Sequence, residues 1–517
     1  MKKNLVVFFC AAAAVLAGCD ENGAPELAPA ELVSVSLLAQ DNAEFIEEDI
    51  TIPVSKSMTA RIKGGGKGKT MVLTLAAGQD DAIFVEEQKI AGGKLSFDAS
   101  LPVDIMVKDT LLGLSSVYEL KVKNTAGVQI DLVASFAEEN CAKDMSSDIG
   151  FAVAPDGSAY ISYYRKATVV KDSVSTTDKY NSLSVVKWDG TSFSQVGSPA
   201  FTDASARSVA NPISMGIKPD GTPVVMYKGA QVANFISVME YKNGKWDYIG
   251  TSEGVSTKFT SSYGAPEFYY NPKTGNPGFF YTSSVGSSDP NYRNYADVSF
   301  NGTSWDTSYS SLGSDYPKYG DLGTSSDGIF YRGVCCNTSD AAYAVVQNNL
   351  YGYYVYKMTD SSWERIVANY KPAGEDYGIP TNLAVKAGPK GEVYVFAASS
   401  KAATMQLYKV NEASKTLDLV GNPFACTAGS YGSIKESASF AVSSKGQIVS
   451  IVGEKFYLLS EEGQWEYATD IAFPGTVESD YFIAYTSADS GVLAVMVQDA
   501  AKLNSINIYK FGPDDLD

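Results

Sequence analysis

The chain of 517 residues contains no histidine. That absence removes a Ser-His-Asp triad, a Cys-His pair and every histidine-ligated zinc, copper or haem site. Acid–base or nucleophilic work would fall to carboxylates, Tyr, Lys or Arg. Arginine is scarce, with only six, at 61, 165, 207, 293, 332 and 365. Positive charge is outweighed throughout: the net charge is −18 and the pI about 4.6. This argues against nucleic acid or an anionic lipid surface as partner. Beyond residue 17 no segment has 18 continuous apolar residues, so no later part of the chain reads as a spanning helix. Cysteine is limited to 10, 19, 141, 335, 336 and 426, in a spacing that matches no zinc ribbon. Cys141, Cys335, Cys336 and Cys426 read as small buried hydrophobes or, for Cys141 or Cys426, as half of an envelope disulfide. No cofactor and no metal is expected.

What is present begins with Met1, Lys2, Lys3 and an apolar run from Leu5 to Ala17, too short to span a bilayer. The run ends in "LAGC", Leu16 to Cys19, which resembles the lipobox of bacterial lipoproteins. The resemblance implies a signal peptide over 1–18, cleavage before Cys19, and acylation of the Cys19 thiol. The acidic, Pro- and Ala-containing stretch 19–30 reads as a flexible tether. Acidic residues at this place resemble the export signal of surface lipoproteins in glycan-degrading Gram-negative anaerobes. The implied address is the outer membrane, lipid-anchored, at the cell surface.

Residues 31–137 hold short β-branched or alternating runs between turn residues, among them "ELVSVSLL", "TMVLTLAA", "VDIMVKD" and "VQIDLVASF". That spacing predicts a small β-sandwich, and the unit resembles the immunoglobulin-like modules that follow such tethers as a stalk. "TAG" (125–127) reads as a hairpin between the last two runs. "GGGKGKT" (64–70) is no phosphate-binding loop, because position 63 is Lys and a strand follows.

From 138 to 517 a repeat appears. Its first piece is two strands about a tight glycine turn, with Gly157, Gly221, Gly275, Gly328, Gly391, Gly446 and Gly491 at the turns. Its second is a hairpin whose last strand opens on Phe193, Trp246, Trp305, Trp363 or Trp465, with Leu417 the exception. Four antiparallel strands per unit predict an all-β chain ending in a seven-bladed β-propeller, six or eight blades being the alternative counts. The last unit lacks an outer strand, so closure is expected to borrow one from 128–137. The layout of tether, stalk and propeller resembles propeller lipoproteins of polysaccharide-utilisation systems.

Candidate site residues come from a third regularity. Tyr263, Tyr319, Tyr377 and Tyr431, each followed by Gly, recur 56, 58 and 54 residues apart, where an outer strand should lead into the next inner strand. Each Tyr is either a wedge between blades or part of an aromatic platform at the channel mouth. Carboxylates share these loops: Glu267, Asp315, Asp321, Glu375, Asp376, Glu436 and Asp480. "GEDYG", with Glu375 and Asp376, is the densest cluster. Three insertions, 165–182, 283–295 and 337–354, are expected to rise on a face, with Tyr292, Tyr295, Tyr351, Tyr353 and Tyr354 as a contact set. The reading that follows is a binding protein for a glycan or an envelope protein partner, without catalysis. The alternatives are a carbohydrate-active hydrolase or lyase using Asp, Glu or Tyr, and a structural partner in an outer-membrane complex.

Overall fold

The computed structural model describes residues 30–512 except 47, 63–69, 100, 125–128, 138–148, 172–173, 203–209, 229–234, 253, 256–265, 283–287, 292–293, 313–330, 349–351, 371–382, 400–402, 428–434, 461–462 and 502. Among these residues regular structure is almost wholly strand, with two short 3-10 turns and no α-helix. The chain divides into two compact units, Met1–Ala126 and Gly127–Asp517.

The first unit holds β1 (Leu32–Leu37), β2 (Ile50–Ile52), β3 (Ser57–Ile62), β4 (Thr70–Ala77), β5 (Asp81–Val85), β6 (Gln88–Lys89), β7 (Lys94–Asp98), β8 (Val103–Asp109) and β9 (Ser115–Asn124). They make two sheets, ordered β2-β1-β4-β7 and β3-β9-β8-β5-β6, in which β3 runs parallel to β9. Alternation decides which face is buried. Val35, Leu37, Met71, Leu73, Ile105, Val107 and Leu120 turn inward and form one core. The runs read as strands are strands here. β5 and β6 were not expected, since "DAIFVEEQK" offers only a brief apolar stretch.

In the second unit β10 (Gln129–Phe136) comes first. Then sheets of four antiparallel strands follow in sequence order. The first holds β11 (Gly150–Val153), β12 (Ala159–Lys171), β13 (Val174–Trp188) and β14 (Phe193–Gln195). The second holds β15 (Ala210–Ile217), β16 (Pro223–Lys228), β17 (Ile236–Lys242) and β18 (Lys245–Tyr248). The third is β19 (Phe268–Tyr270), β20 (Pro277–Thr282), β21 (Tyr295–Phe300) and β22 (Trp305–Ser308). The fourth is β23 (Tyr331–Asn337), β24 (Ala342–Asn348), β25 (Gly352–Met358) and β26 (Trp363–Tyr370). The fifth comprises β27 (Leu383–Ala387), β28 (Val393–Ser399), β29 (Thr404–Asn411) and β30 (Thr416–Ala425). The sixth comprises β31 (Ala438–Val442), β32 (Ile448–Val452), β33 (Lys455–Leu459) and β34 (Trp465–Asp470). The last has β35 (Thr476–Val477) and β36 (Phe482–Tyr485) both on β37 (Gly491–Gln498), then β38 (Asn504–Gly512) and finally β10.

Several expectations change at this level. The boundary between units falls after Ala126 rather than at 137. β9 and β10 do not make the hairpin read from "TAG": β9 pairs with β3 and β8, while β10 pairs with β38 from Gln129↔Gly512 to Phe136↔Ile506. The physical reason is the free edge that β38 would otherwise present, a row of unpaired backbone groups beside the buried Ile506 and Ile508. The stretch 165–182 joins the two middle strands as expected, and does so as a paired hairpin. It prolongs β12 and β13, paired as far as Lys171↔Val174. Tyr295, Tyr353 and Tyr354 are buried between sheets, whereas Tyr292 and Tyr351 lie outside the described residues. Gly491 opens β37 instead of forming the turn, where the Ser487 hydroxyl accepts the Ser490 N–H at 3.1 Å.

The glycine turns otherwise stand as read: Gly157, Gly221, Gly275, Gly391 and Gly446 have φ between +70° and +86°, where a side chain is strained. Gly328 is outside the described residues. A further glycine position links neighbouring sheets. Trp246, near the start of β18, donates its indole N–H to the Val196 carbonyl at 2.9 Å, and Trp305 of β22 donates to Ile249 at 2.7 Å. The residue after each acceptor is Gly197 or Gly250, at φ +75° and +83°. A Cβ on Gly250 would stand 2.8 Å from the Trp305 ring. Gly250→Val is therefore expected to cost about 3 kcal/mol, from backbone strain and overpacking together. Gly221→Val, with φ +84° and open space around it, should lose only about 1 kcal/mol. Equal midpoint shifts for the two in urea would refute the clasp.

Candidate binding site at the central channel

The first strands of these sheets converge. β11 packs against β15, β15 against β19, β19 against β23, β23 against β27, β27 against β31, β31 against β36, and β36 returns to β11. They close a ring around a cavity of about 380 Å³ to which every one of these inner strands contributes. The lining explains why the cavity persists. Gly150, Ala152, Ser214, Gly216, Cys335, Ala384, Ala438, Ser439 and Ala484 are small, so the strands approach closely without filling the axis. A Cβ on Gly150 would lie 2.7 Å from the Met215 backbone nitrogen. Four antiparallel strands per sheet, with the inner strands ringed about a channel, is the architecture of a β-propeller.

Among the described residues three charged side chains line the channel: Glu267, Lys386 and Asp480. Glu267 immediately precedes β19, and its Oε2 accepts the Cys335 N–H of β23 at 3.2 Å. Lys386 lies within β27 and is half-buried. Asp480 precedes β36 and is exposed; its neighbour Tyr481 is buried, which pushes its phenol up to about 12. Around the ring the lysine therefore stands between two carboxylates, one strand removed from each. The lining combines apolar walls with a few charged groups, the composition usual for a small-ligand site, and the volume is in that range.

All the residues singled out for ligand contact, Tyr263, Tyr319, Glu375, Asp376, Tyr377 and Tyr431, lie outside the described residues, as do Cys19, Asp315 and Asp321. In sequence their segments lead into β19, β23, β27 and β31. Of the other loop carboxylates, Glu267 and Asp480 reach the channel and Glu436 does not. Both Glu436 oxygens accept the Thr427 N–H, at 2.9 and 2.8 Å. Burial would raise this carboxyl, but the bonds from Thr427 outweigh it and hold it below the usual range. Lys386 was missed; its only mark in the sequence is a charge inside the apolar alternation "LAVKA".

Elsewhere the unusual groups are enclosed. Asp297 of β21 is 7% exposed. It accepts the Tyr269 hydroxyl at 2.6 Å and the Trp363 indole N–H at 3.1 Å. Burial pushes this carboxyl up to about 6, against the pull of its hydrogen bonds. Cys335, Cys336 and Cys426 are free thiols; burial drives Cys336 up to about 12 and Cys426 up to about 11, so none is a ready nucleophile. Cys141 is outside the described residues. Among the described residues no three Cys, Asp or Glu side chains are grouped to hold a metal.

No protein-family model and no curated protein matches this chain. Solved structures do resemble it, weakly. The BP39L lectin from Burkholderia pseudomallei is 11% identical over 71% of this chain and 98% of its own, with a TM-score of 0.44. An α-L-arabinofuranosidase of Fusarium graminearum is 10% identical over 74% and 98%, with a TM-score of 0.40. A protein of unknown function from Dyadobacter fermentans is 11% identical over 74% and 99%, also at 0.40. The assignment of this fold rests on the strand order and the ring of inner strands described above.

Proposed function

We propose that the second unit is a seven-bladed propeller that binds a glycan or an envelope protein partner over the channel end where Glu267, Lys386 and Asp480 stand. The observation that supports it most is the cavity carrying those three side chains, ringed by strands that the segments holding Tyr263, Tyr319, Tyr377 and Tyr431 precede in sequence. Hydroxyls and amides of a neutral ligand can meet a carboxylate and an ammonium at once, and tyrosine rings suit the apolar faces of sugars. Glu375 and Asp376 belong to the same set. The first unit is an immunoglobulin-like stalk, and the chain is anchored in the outer membrane by a lipid on Cys19 through the tether 19–30.

Affinity electrophoresis against a panel of polysaccharides tests this. Lys386→Ala and Glu267→Gln should each weaken retention by about tenfold to a hundredfold, the range for one hydrogen bond to a charged group. Tyr→Ala at 263, 319, 377 and 431 separates platform from wedge: loss of retention with an unchanged melt favours the platform, loss of the fold favours the wedge. Unchanged mobility with every polysaccharide would remove the glycan reading and leave the protein partner. Glu267 and Asp480 on one cavity keep a hydrolase in view. Release of reducing ends from the same panel, abolished in Glu267→Gln, would establish it over pure binding.

A further inference from the structure

The end of the sandwich where the chain enters carries an apolar turn that the core does not use. β8 and β9 are joined through Thr110 to Leu114, and Leu111, Leu112 and Leu114 are 78%, 52% and 39% exposed. The turn is firmly built. The Asp109 carboxylate accepts the N–H groups of Leu111 and Leu112 at 2.7 and 2.8 Å. Gly113, at φ +70°, donates to the Asp109 carbonyl at 3.0 Å, and the Asp109 N–H donates to Leu114 at 2.9 Å. Thr110 ties it to the body, donating its hydroxyl to the Asp80 carbonyl at 2.9 Å. A turn needs no leucines for any of this; polar residues are the usual choice. Three held outward on a fixed frame make a contact surface.

The same corner receives the N-terminal segment. The Glu31 N–H donates to Asp81 at 3.1 Å, and the Gly78 N–H donates to the Glu31 carbonyl at 3.3 Å. The far end of the sandwich is where β9 leaves: Lys108↔Ser115 borders the turn, Val103↔Leu120 lies away from it, and the strand runs on to Asn124. Entry and leucine turn thus share one end, and exit takes the other. Cys19 precedes Glu31 by twelve residues, a span of roughly 40 Å at full extension.

We propose that the turn 110–114 enters the interfacial layer of the membrane that holds the lipid anchor, seating Leu111, Leu112 and Leu114 among headgroups and upper acyl chains. This rests on the reading of Cys19 as acylated. Three leucines would hold a free protein only weakly, but the tether supplies a high local concentration of lipid, so their task is to orient the unit. Glu31, Asp80 and Asp81 at the same corner suit zwitterionic rather than anionic headgroups.

The full-length chain with Leu112→Trp, in vesicles of phosphatidylethanolamine and phosphatidylcholine with brominated acyl chains, tests the proposal. The five native tryptophans all lie beyond residue 187, so a difference spectrum isolates the new indole. A blue shift and bromine quenching are expected, and both should vanish when Leu111→Asn and Leu114→Asn are added. Mass spectrometry of the peptide containing Cys19 reports acylation separately. An acylated chain with no shift and no quenching overturns the membrane turn and leaves the anchor standing. A chain without the acyl mass overturns the anchor, and this proposal with it.

Discussion

A chain that begins at residue 138 is expected not to fold, whereas one that begins at 127 should melt cooperatively. The two differ in β10. Without it β38 keeps β37 on one side and presents a bare row of N–H and C=O groups on the other. Ile506 and Ile508, fully buried now, lose the cover of Ala134 and Phe136. Phe136 also sits 5.6 Å from the Tyr163 ring and 5.5 Å from Phe193, so the first sheet loses a partner along with the last. Removing one such aromatic costs about 3–5 kcal/mol, and a domain is held by about 5–15 kcal/mol in all. Circular dichroism through a thermal ramp, with size-exclusion chromatography for aggregation, reads the outcome. Equal transitions for the two chains would show that β10 is an ornament on a ring closed by other means.

The second large effect is a pH dependence centred on Asp297. Its carboxyl ionises at about 6 in the folded protein, against 3.8 for a free side chain. Burial raises it, and the Tyr269 and Trp363 hydrogen bonds only partly compensate. The folded state therefore holds this proton more tightly than the unfolded chain. The associated stability is complete below about pH 4 and is lost as pH rises through 6. Relative to Asp297→Asn, the native chain should lose about 3 kcal/mol between pH 4 and pH 7.5. Urea melts of both proteins across that window give the difference directly, because the other carboxylates are common to both and cancel. Parallel curves would mean that the acid is solvated or paired.

These two sites differ in how far the sequence announced them. The closing strand was expected within 128–137 because the last repeat ran out before its outer strand. The turn glycines and the aromatic at the head of each outer strand were legible for a similar reason, since a repeat prints the same physical need several times over. Asp297 is invisible to such reading. Its environment is made by Tyr269 of one strand and Trp363 of the next sheet, residues far apart whose neighbourhood only the ring creates. Gly250 fell between the two: the endings "SQVG", "DYIG" and "DLVG" recur, but a glycine beneath a tryptophan from the following sheet has no local signature. That the insertion 165–182 is paired strand was not legible, because "ATVVKDSVSTTDKY" lacks apolar alternation. A ribbon extending past the core needs only backbone pairing and β-branched residues, which this stretch has in number. Lys386 has no such mark: one charge in a short apolar strand gains meaning only once the strand is known to face a channel.

The pairing of β10 with β38 also dictates an order of events in time. The first and last strands of the second unit are neighbours, so the seam cannot seal until the final residues of the chain are available. During synthesis the earlier sheets can form by local pairing, but the ring stays open, with β10, behind the first unit, still lacking its partner. Long-range closure of this kind is the slow step of folding. Whatever forms before it, the ring cannot be completed until the strand that runs to Gly512 exists to meet β10.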